Sequence, residues 1–482
     1  MASSELPVKE EIVKFWESIF QKTNLTKQLM DLAVNSSSST DADLKFELFD
    51  YGKIKINAKP AVPLGTNFMS DVFITDAYLE NGRHYTGFVK VLPSNPSRLA
   101  AGFIGGSYQR ESVVYQNWIP ELKEMRSSKN LTNSDIPLNV ADSYFVNLVL
   151  SEDGGRLENE TVCVLEELKS KGYRMASSAR STNGIDLNHA RCALRTYANY
   201  HALSIANMRR LLKSDGSYNL PLSYEIFRKD PNYINPATVY RTIVLPNYVK
   251  VLRHLHQEKA ANWLEGLLPE LDNIWNWESF LDSGRLTCLL HGDSWNNNLL
   301  FRYPSQASEK PEEMLLIDWQ IARCGHPSHD LGYFLFSSTS SSFRRQHLDE
   351  LLNEYYETLS NALMKLDIDL SKEGYSQEQF IRETKQRYIL MMMIALFILP
   401  ILLDSAKAID HTLKNDENLN KDLNELLEKD QAKELDEEGT KSGWQSLFEF
   451  ETVIGNPLLS QRIVELITDV KDMAWQENTG IP

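Results

Sequence analysis

Residues 289–298 read Leu-Leu-His-Gly-Asp-Ser-Trp-Asn-Asn-Asn, and residues 315–320 read Leu-Leu-Ile-Asp-Trp-Gln. Each stretch opens on an apolar run of strand character and runs into an aspartate, Asp293 or Asp318. Asn298 follows Asp293 by five residues. In phosphoryl-transfer sites that spacing pairs a carboxylate that takes a hydroxyl proton with an amide that ligates magnesium. Alone, His291-Gly292-Asp293 would equally make an ordinary polar turn. Asp318 shifts the balance. The stretch Pro304–Glu313 is polar and reads as a hairpin turn, which makes the two runs adjacent strands and brings Asp293, Asn298 and Asp318 to one end. Carboxylate and amide oxygens are hard donors, suited to a magnesium ion that also bridges phosphates.

Such a site needs a cation on the phosphates and a group to hold that cation in place. Lys90, in Gly87-Phe88-Val89-Lys90-Val91-Leu92, is a charge inside an apolar alternation, which requires a partner. Glu111 lies among Tyr108, Val114, Tyr115 and Trp118 at helical spacing and is the expected partner. The loop before Lys90 runs from Pro63 to Asp71 and carries one glycine rather than a GxGxxG pattern. Its backbone N–H groups from Asn67 through Phe68 to Ser70 are expected to cap a phosphate, with the Ser70 hydroxyl added. The stretch Val164–Leu168 is expected to offer backbone groups to a nucleotide base, at Glu166 and Leu168.

Composition bounds the alternatives. The chain has 482 residues, 42% hydrophobic and 24% charged, with a formal net charge of −16. A nucleic-acid binder would need a basic stripe, so no nucleic-acid partner is expected. Cys163, Cys192, Cys288 and Cys324 are far apart and form no CxxC pair, which points to reduced, mostly buried thiols in a cytoplasmic protein. The N-terminus lacks the apolar core of a signal peptide. Tyr388 to Leu403 is nearly all apolar but shorter than the roughly twenty residues a bilayer requires, so a buried helix and no membrane span are expected. His201 is expected to be a satisfied core histidine, while His326 and His329 have no companions at zinc spacing.

Along the chain, residues 8–34 have the apolar spacing of one amphipathic helix, and Asn35–Thr40 reads as a flexible break. Strand texture follows at Phe46, Lys53, Val72 and Tyr85, then a helix near Tyr108–Trp118, then strands at Ser143–Leu150 and Thr161–Leu165. After Leu168 the pattern is helical, with one long helix over Asp186–Met208. Asp330 opens a further apolar helix, as its N-cap or as a brace for the 291–298 loop. The stretch 414–439 is acidic and thin in apolar residues and reads as a solvated insertion. The predicted class is α+β, with segments 1–40 (helix and linker), 41–168 (β-rich N-lobe) and 169–482 (mostly helical C-lobe).

Several stretches together resemble the ecdysteroid-kinase-like (CHK kinase-like) family, relatives of choline kinases and aminoglycoside phosphotransferases. They are His291–Asn298, Leu316–Gln320, Asp330-Leu-Gly-Tyr-Phe-Leu, Phe88–Pro93, Glu111–Tyr115, Leu165–Leu168 and Tyr197–Ala202. The resemblance runs over about residues 40–405. It implies a two-lobed protein-kinase-like fold that uses ATP and Mg2+ to move the γ-phosphate onto a small-molecule hydroxyl. In ecdysteroid kinases that acceptor is a steroid. The implied roles are Asp293 as base, Asn298 and Asp318 on metal, Lys90 on phosphates and Glu111 holding Lys90. The sequence departs from the family pattern in Glu166-Glu167-Leu168, where Glu-Asp-Leu is usual, and in Trp319, where Phe is usual. The expected acceptor is a lipophilic alcohol such as an ecdysteroid. The alternatives are a choline-, ethanolamine- or aminoglycoside-type acceptor, or a non-catalytic nucleotide-binding module. A monomer or weak dimer is expected.

Overall fold

The computed structural model describes residues 5–36, 46–51, 54–61, 70–93, 99, 106–150, 158, 160–176, 184–214, 219, 222–227, 236–276, 284–305, 308–403 and 443–476. Asn67, Phe68 and the acidic stretch 414–439 lie outside these residues. The first part of the chain builds one antiparallel six-stranded sheet of order β1-β2-β3-β4-β6-β5. Its strands are β1 Phe46–Tyr51, β2 Ile54–Pro60, β3 Asp71–Leu79, β4 His84–Val91, β5 Ser143–Asn147 and β6 Val162–Glu166. The side-chain period of two divides β4 between two environments. Val89 and Val91 join Phe73, Ala77 and Val164 in a core on one face, and Lys90 points to the other.

That core is closed by the N-terminal region, where two helices replace the expected single one: α1 Glu5–Lys22 and α2 Leu25–Ser36. The break has a local cause. The Thr23 hydroxyl donates to the Ile19 carbonyl and accepts the Leu25 N–H, ending one helix and starting the next. Trp16 of α1 packs on Gly87, where a Cβ would stand 3.2 Å from the indole and 3.0 Å from Val164. A side chain at 87 would require the indole or Val164 to give by a few tenths of an ångström.

On the opposite face runs a longer helical segment than the spacing indicated. It comprises α3 Ser107–Val113, a π-helical turn over Val114–Trp118, and α4 Ile119–Ser128. The second part of the chain is mainly helical. α5 spans Leu187–Arg210, with Asp186 as N-cap accepting from the His189 N–H, and buries Ala190, Leu194, Tyr197, His201 and Ser204 along one side. The short strands β7 Tyr173–Arg174, β8 Cys288–Leu290, β9 Leu299–Arg302, β10 Glu313–Leu316 and β11 Arg323–Gly325 form two small sheets, β10-β9-β7 and β11-β8.

The predicted hairpin over 304–313 is present as β9–β10, but the run leading to Asp293 is not its partner. β8 pairs with β11 instead. Asp293 and Asn298 therefore reach the site from a loop between two sheets, and Asp318 lies just past the end of β10.

Further helices complete this part: α6 Leu245–His254, α7 Glu258–Gly266, α8 Ser328–Ser338, α9 Ser341–Lys365, α10 Gln377–Gln386, α11 Tyr388–Leu403, α12 Phe450–Gly455 and α13 Pro457–Gln476. Among the described residues no single helix is long and apolar enough to cross a membrane, and α10 and α11 meet at a 52° bend. α11 is largely buried and packs so tightly on α8 that a Cβ at Gly332 would stand 2.3 Å from the Met391 side chain. All four cysteines are free, and three are buried.

The C-terminal helix α13 is fastened by buried charge. Asp469 accepts from the Arg344 guanidinium (2.8 Å) and the Ser341 hydroxyl (2.7 Å), and Arg462 donates to the carbonyls of Ser337 and Thr339. Asp469→Ala leaves Arg344 buried with its charge uncompensated. We expect a loss of about 3–5 kcal/mol in unfolding free energy, measurable by urea titration.

Candidate active site

Lys90, Glu111 and Asp318 come together although up to 228 residues separate them. The Lys90 ammonium donates to Glu111 Oε1 at 2.7 Å and to Asp318 Oδ1 at 2.8 Å. Both members of the first pair are nearly inaccessible, while the Asp318 side chain is 23% exposed and forms the open edge of the group. Burial would drive the Lys90 ammonium down, but Asp318 and Glu111 outweigh it and hold the ammonium well above the lysine range. Burial raises the Glu111 carboxyl, and Lys90 pulls it back. Gln320, just past Asp318, reaches the Ser70 hydroxyl at 3.5 Å and hydrogen-bonds Glu111. Asp318 itself has φ 70°, in the left-handed region.

The second half of the site is the 291–298 loop. Gly292 has φ 86°, and a Cβ there would stand 2.1 Å from the Ile321 carbonyl oxygen, so the turn into Asp293 requires glycine. Burial pushes the His291 imidazole below its ordinary value. Its partners fix the tautomer of the neutral ring: Nε2–H donates to the Ile317 carbonyl (2.8 Å), and Nδ1 accepts the Asp293 N–H (3.3 Å). His291 thereby bridges the Asp293 loop and the strand end that carries Asp318. Asn298 Nδ2 donates to Asp293 Oδ2 at 2.7 Å, and the Tyr333 hydroxyl donates to Asp293 Oδ1 at 2.8 Å. Burial, with the Asp318 charge second, pushes the Asp293 carboxyl up to about 6, against the pull of Tyr333 and Asn298.

Asp330 holds this loop from beneath. It is the third residue of α8 rather than its N-cap, so the bracing alternative is the one observed. Its carboxylate accepts the N–H groups of His291 (2.8 Å) and Gly292 (2.9 Å) and the Ser294 hydroxyl (2.7 Å). It also contacts His201 Nε2 at 3.0 Å, while His201 Nδ1 meets the Tyr355 hydroxyl at 2.8 Å. Burial alone would raise the Asp330 carboxyl, but His201 and these donors hold it far below the carboxylate range. The core role expected of His201 is thus satisfied at both ring nitrogens. Ser204, one turn further along α5, exchanges hydrogen bonds with the backbone of Leu289 and fixes β8.

In the stretch 164–168, several polar groups are engaged within the fold. The Glu166 N–H donates to the Asp142 carbonyl, its carboxylate accepts the Asp142 N–H and pairs with Lys171, and β4–β6 pairing sets it opposite Gly87. The Leu168 carbonyl accepts the N–H groups of Lys171 and Tyr173. The carboxylate of Glu166 and the carbonyl of Leu168 are therefore committed to the fold. Ser70 is buried at the start of β3, near Gln320, and Asn67 and Phe68 fall outside the described residues.

Tyr333 and Gln320 were not singled out from sequence. For Tyr333 a signal existed: it follows Asp330 by three residues on a helix, which puts both on one face. Gln320 carried no pattern of its own, since its contacts span 250 residues.

A search of curated protein sequences finds no match. Solved structures with a similar chain course include an aminoglycoside 2'-phosphotransferase-IIIa mutant in its GDP complex. It shows 11% identity and a TM-score of 0.35, and covers 85% of this chain and 98% of that one. An ethanolamine kinase of Plasmodium vivax has 9% identity and a TM-score of 0.32, covering 77% and 84%. A glucosamine kinase bound to glucosamine, ADP and inorganic phosphate has 9% identity and a TM-score of 0.30, covering 74% and 93%. Superpositions this loose carry no functional argument. The family profile is decisive: matched over residues 64–368, more than half of its length, the chain belongs to the ecdysteroid kinase-like family.

Proposed function

We propose that the protein is an ATP-dependent small-molecule kinase that transfers the γ-phosphate to an alcohol hydroxyl. The observation that carries this reading is the convergence of Lys90, Glu111 and Asp318 with the Asn298–Asp293 pair, bridged by His291. Lys90 would hold phosphate oxygens, with Glu111 retaining it from behind. Asp293 would take the acceptor proton, and its carboxyl, raised to about 6, is a competent base near neutral pH. Asn67, Phe68 and Ser70 are proposed to cap a phosphate, and the Glu166–Leu168 segment to border the base.

The donor set also fits Mg2+. Asn298 commits its Nδ2 to Asp293, which leaves the amide oxygen as its metal-facing end, and Asp318 is a carboxylate at the open edge. Among the described residues no three acidic, His or Cys side chains form a closed metal cage. Two protein oxygens would suit a magnesium ion whose remaining ligands are phosphates and water. A bound magnesium ion would supply neutralisation of phosphate charge.

For the acceptor we propose a lipophilic alcohol, with an ecdysteroid as the leading candidate, because the chain belongs to the ecdysteroid kinase-like family. The proposed organisation is an N-lobe over 41–168 and a C-lobe over 169–482, in a cytoplasmic monomer or weak dimer. The test is phosphate transfer from ATP across a panel of steroid, choline-like, ethanolamine and amino-sugar alcohols. The expected outcome is ADP release that requires Mg2+ and a steroid-class alcohol. Stabilisation by Mg·ATP without turnover of any acceptor would replace this reading with the non-catalytic module.

A further inference from the structure

Asp293 is gripped from two independent elements. Asn298, from its own loop, holds Oδ2, and Tyr333, from α8, holds Oδ1. With both oxygens tied, the carboxylate cannot turn about its Cβ–Cγ bond without breaking one contact. The Asn298 contact comes from a residue assigned to metal, so it is the one that a loaded site would rearrange. The Tyr333 contact comes from a helix with no such freedom.

Three observations fix that helix. Asp330, one turn before Tyr333, carries the backbone of His291 and Gly292 and the Ser294 hydroxyl. The close approach at Gly332 sets α8 against Met391 of α11. Ser337 donates its hydroxyl to the Tyr333 carbonyl at 2.7 Å. Tyr333 is 2% exposed, so its hydroxyl has little access to water as an alternative partner. Burial and the Asp293 charge hold the phenol well above its ordinary range, so it acts as a donor.

We propose that Tyr333 is a positioning residue, whose hydroxyl holds the Asp293 carboxylate in the orientation that receives the acceptor proton. The geometry stands by itself, and the chemistry rests on the kinase reading above. In that step the acceptor O–H bond breaks and its proton passes to Asp293. The acceptor oxygen bonds to the γ-phosphorus, and the bond from that phosphorus to the bridging oxygen breaks to leave ADP. Tyr333 is buried and its hydroxyl is spent on Asp293, so its loss affects turnover and not nucleotide binding.

The test is Tyr333→Phe, which keeps the ring and deletes the hydroxyl. Two results are expected. The kcat falls about 10–100-fold, the span that a hydrogen bond to a charged group supplies, with the KM for ATP within about twofold of wild type. A crystal structure of the variant places the Asp293 carboxylate in a rotated or second orientation. An unmoved carboxylate or an unchanged kcat overturns the proposal, and so does a KM for ATP that climbs in step with the fall in kcat. If the wild-type chain turns over no acceptor, the kinase reading fails by itself, and the carboxylate orientation in the variant still decides the role of Tyr333.

Discussion

Asp293→Asn is expected to lower kcat by about 10²–10⁴-fold, the range for loss of a general base, while Mg·ATP still stabilises the fold. The size of the loss follows from two effects. The amide cannot take a proton at working pH. It also places an NH2 group where one of two donors, the Tyr333 hydroxyl or Asn298 Nδ2, already points. Lys90 is held by Glu111 and Asp318 and not by Asp293, so nucleotide binding survives. The wild-type pH profile supplies a second check. Burial and the Asp318 charge raise the Asp293 carboxyl to about 6, and the base works only when ionised. Activity should therefore rise with pH through about 6 and disappear below it. That limb belongs to Asp293 and vanishes from the residual activity of the variant. A variant as fast as wild type would remove Asp293 from the chemistry.

Asp330→Ala should produce a large loss of stability. Asp330 is fully buried, and its removal strips the acceptor from two backbone N–H groups, the Ser294 hydroxyl and His201 in one stroke. Breaking a buried charged network by removing one partner costs about 3–5 kcal/mol. Urea unfolding should register that loss, and turnover should fall with it because the backbone before Asp293 is released. Asp330→Asn retains one carbonyl oxygen and should recover part of the stability. A denaturation midpoint unchanged in Asp330→Ala would mean that the loop is held by other means.

Much of this site was readable in the chain. The Asp293–Asn298 spacing, the second aspartate after Leu315–Ile317, and a lysine inside the β4 alternation are local patterns, and the residues that bear them meet within hydrogen-bond distance of partners. The strand pairing was less readable. β8 and β11 are three residues each, too short for periodicity to name a partner, and the choice of β11 over β10 is made by tertiary contacts such as Ser204 on Leu289. The split of the N-terminal helix depended on one threonine hydroxyl, a side-chain competition that apolar spacing does not register. Gln320 was out of reach for a similar reason, since nothing near it in sequence reveals Ser70 or Glu111. The bracing of the loop by Asp330 was foreseen as one of two alternatives because an acidic residue early in an apolar helix is consistent with either.

The backbone at Asp318, with φ 70°, bears on how this protein changes over generations. Among L-residues, Asp and Asn tolerate that conformation, and glycine adopts it freely. Both replacements for Asp318 are reached from an aspartate codon by one base change. Each would leave the fold unstrained while removing the carboxylate proposed for metal. Inactive descendants of this gene should therefore carry Asn or Gly at 318 in preference to bulkier residues, and should persist as stable, folded proteins.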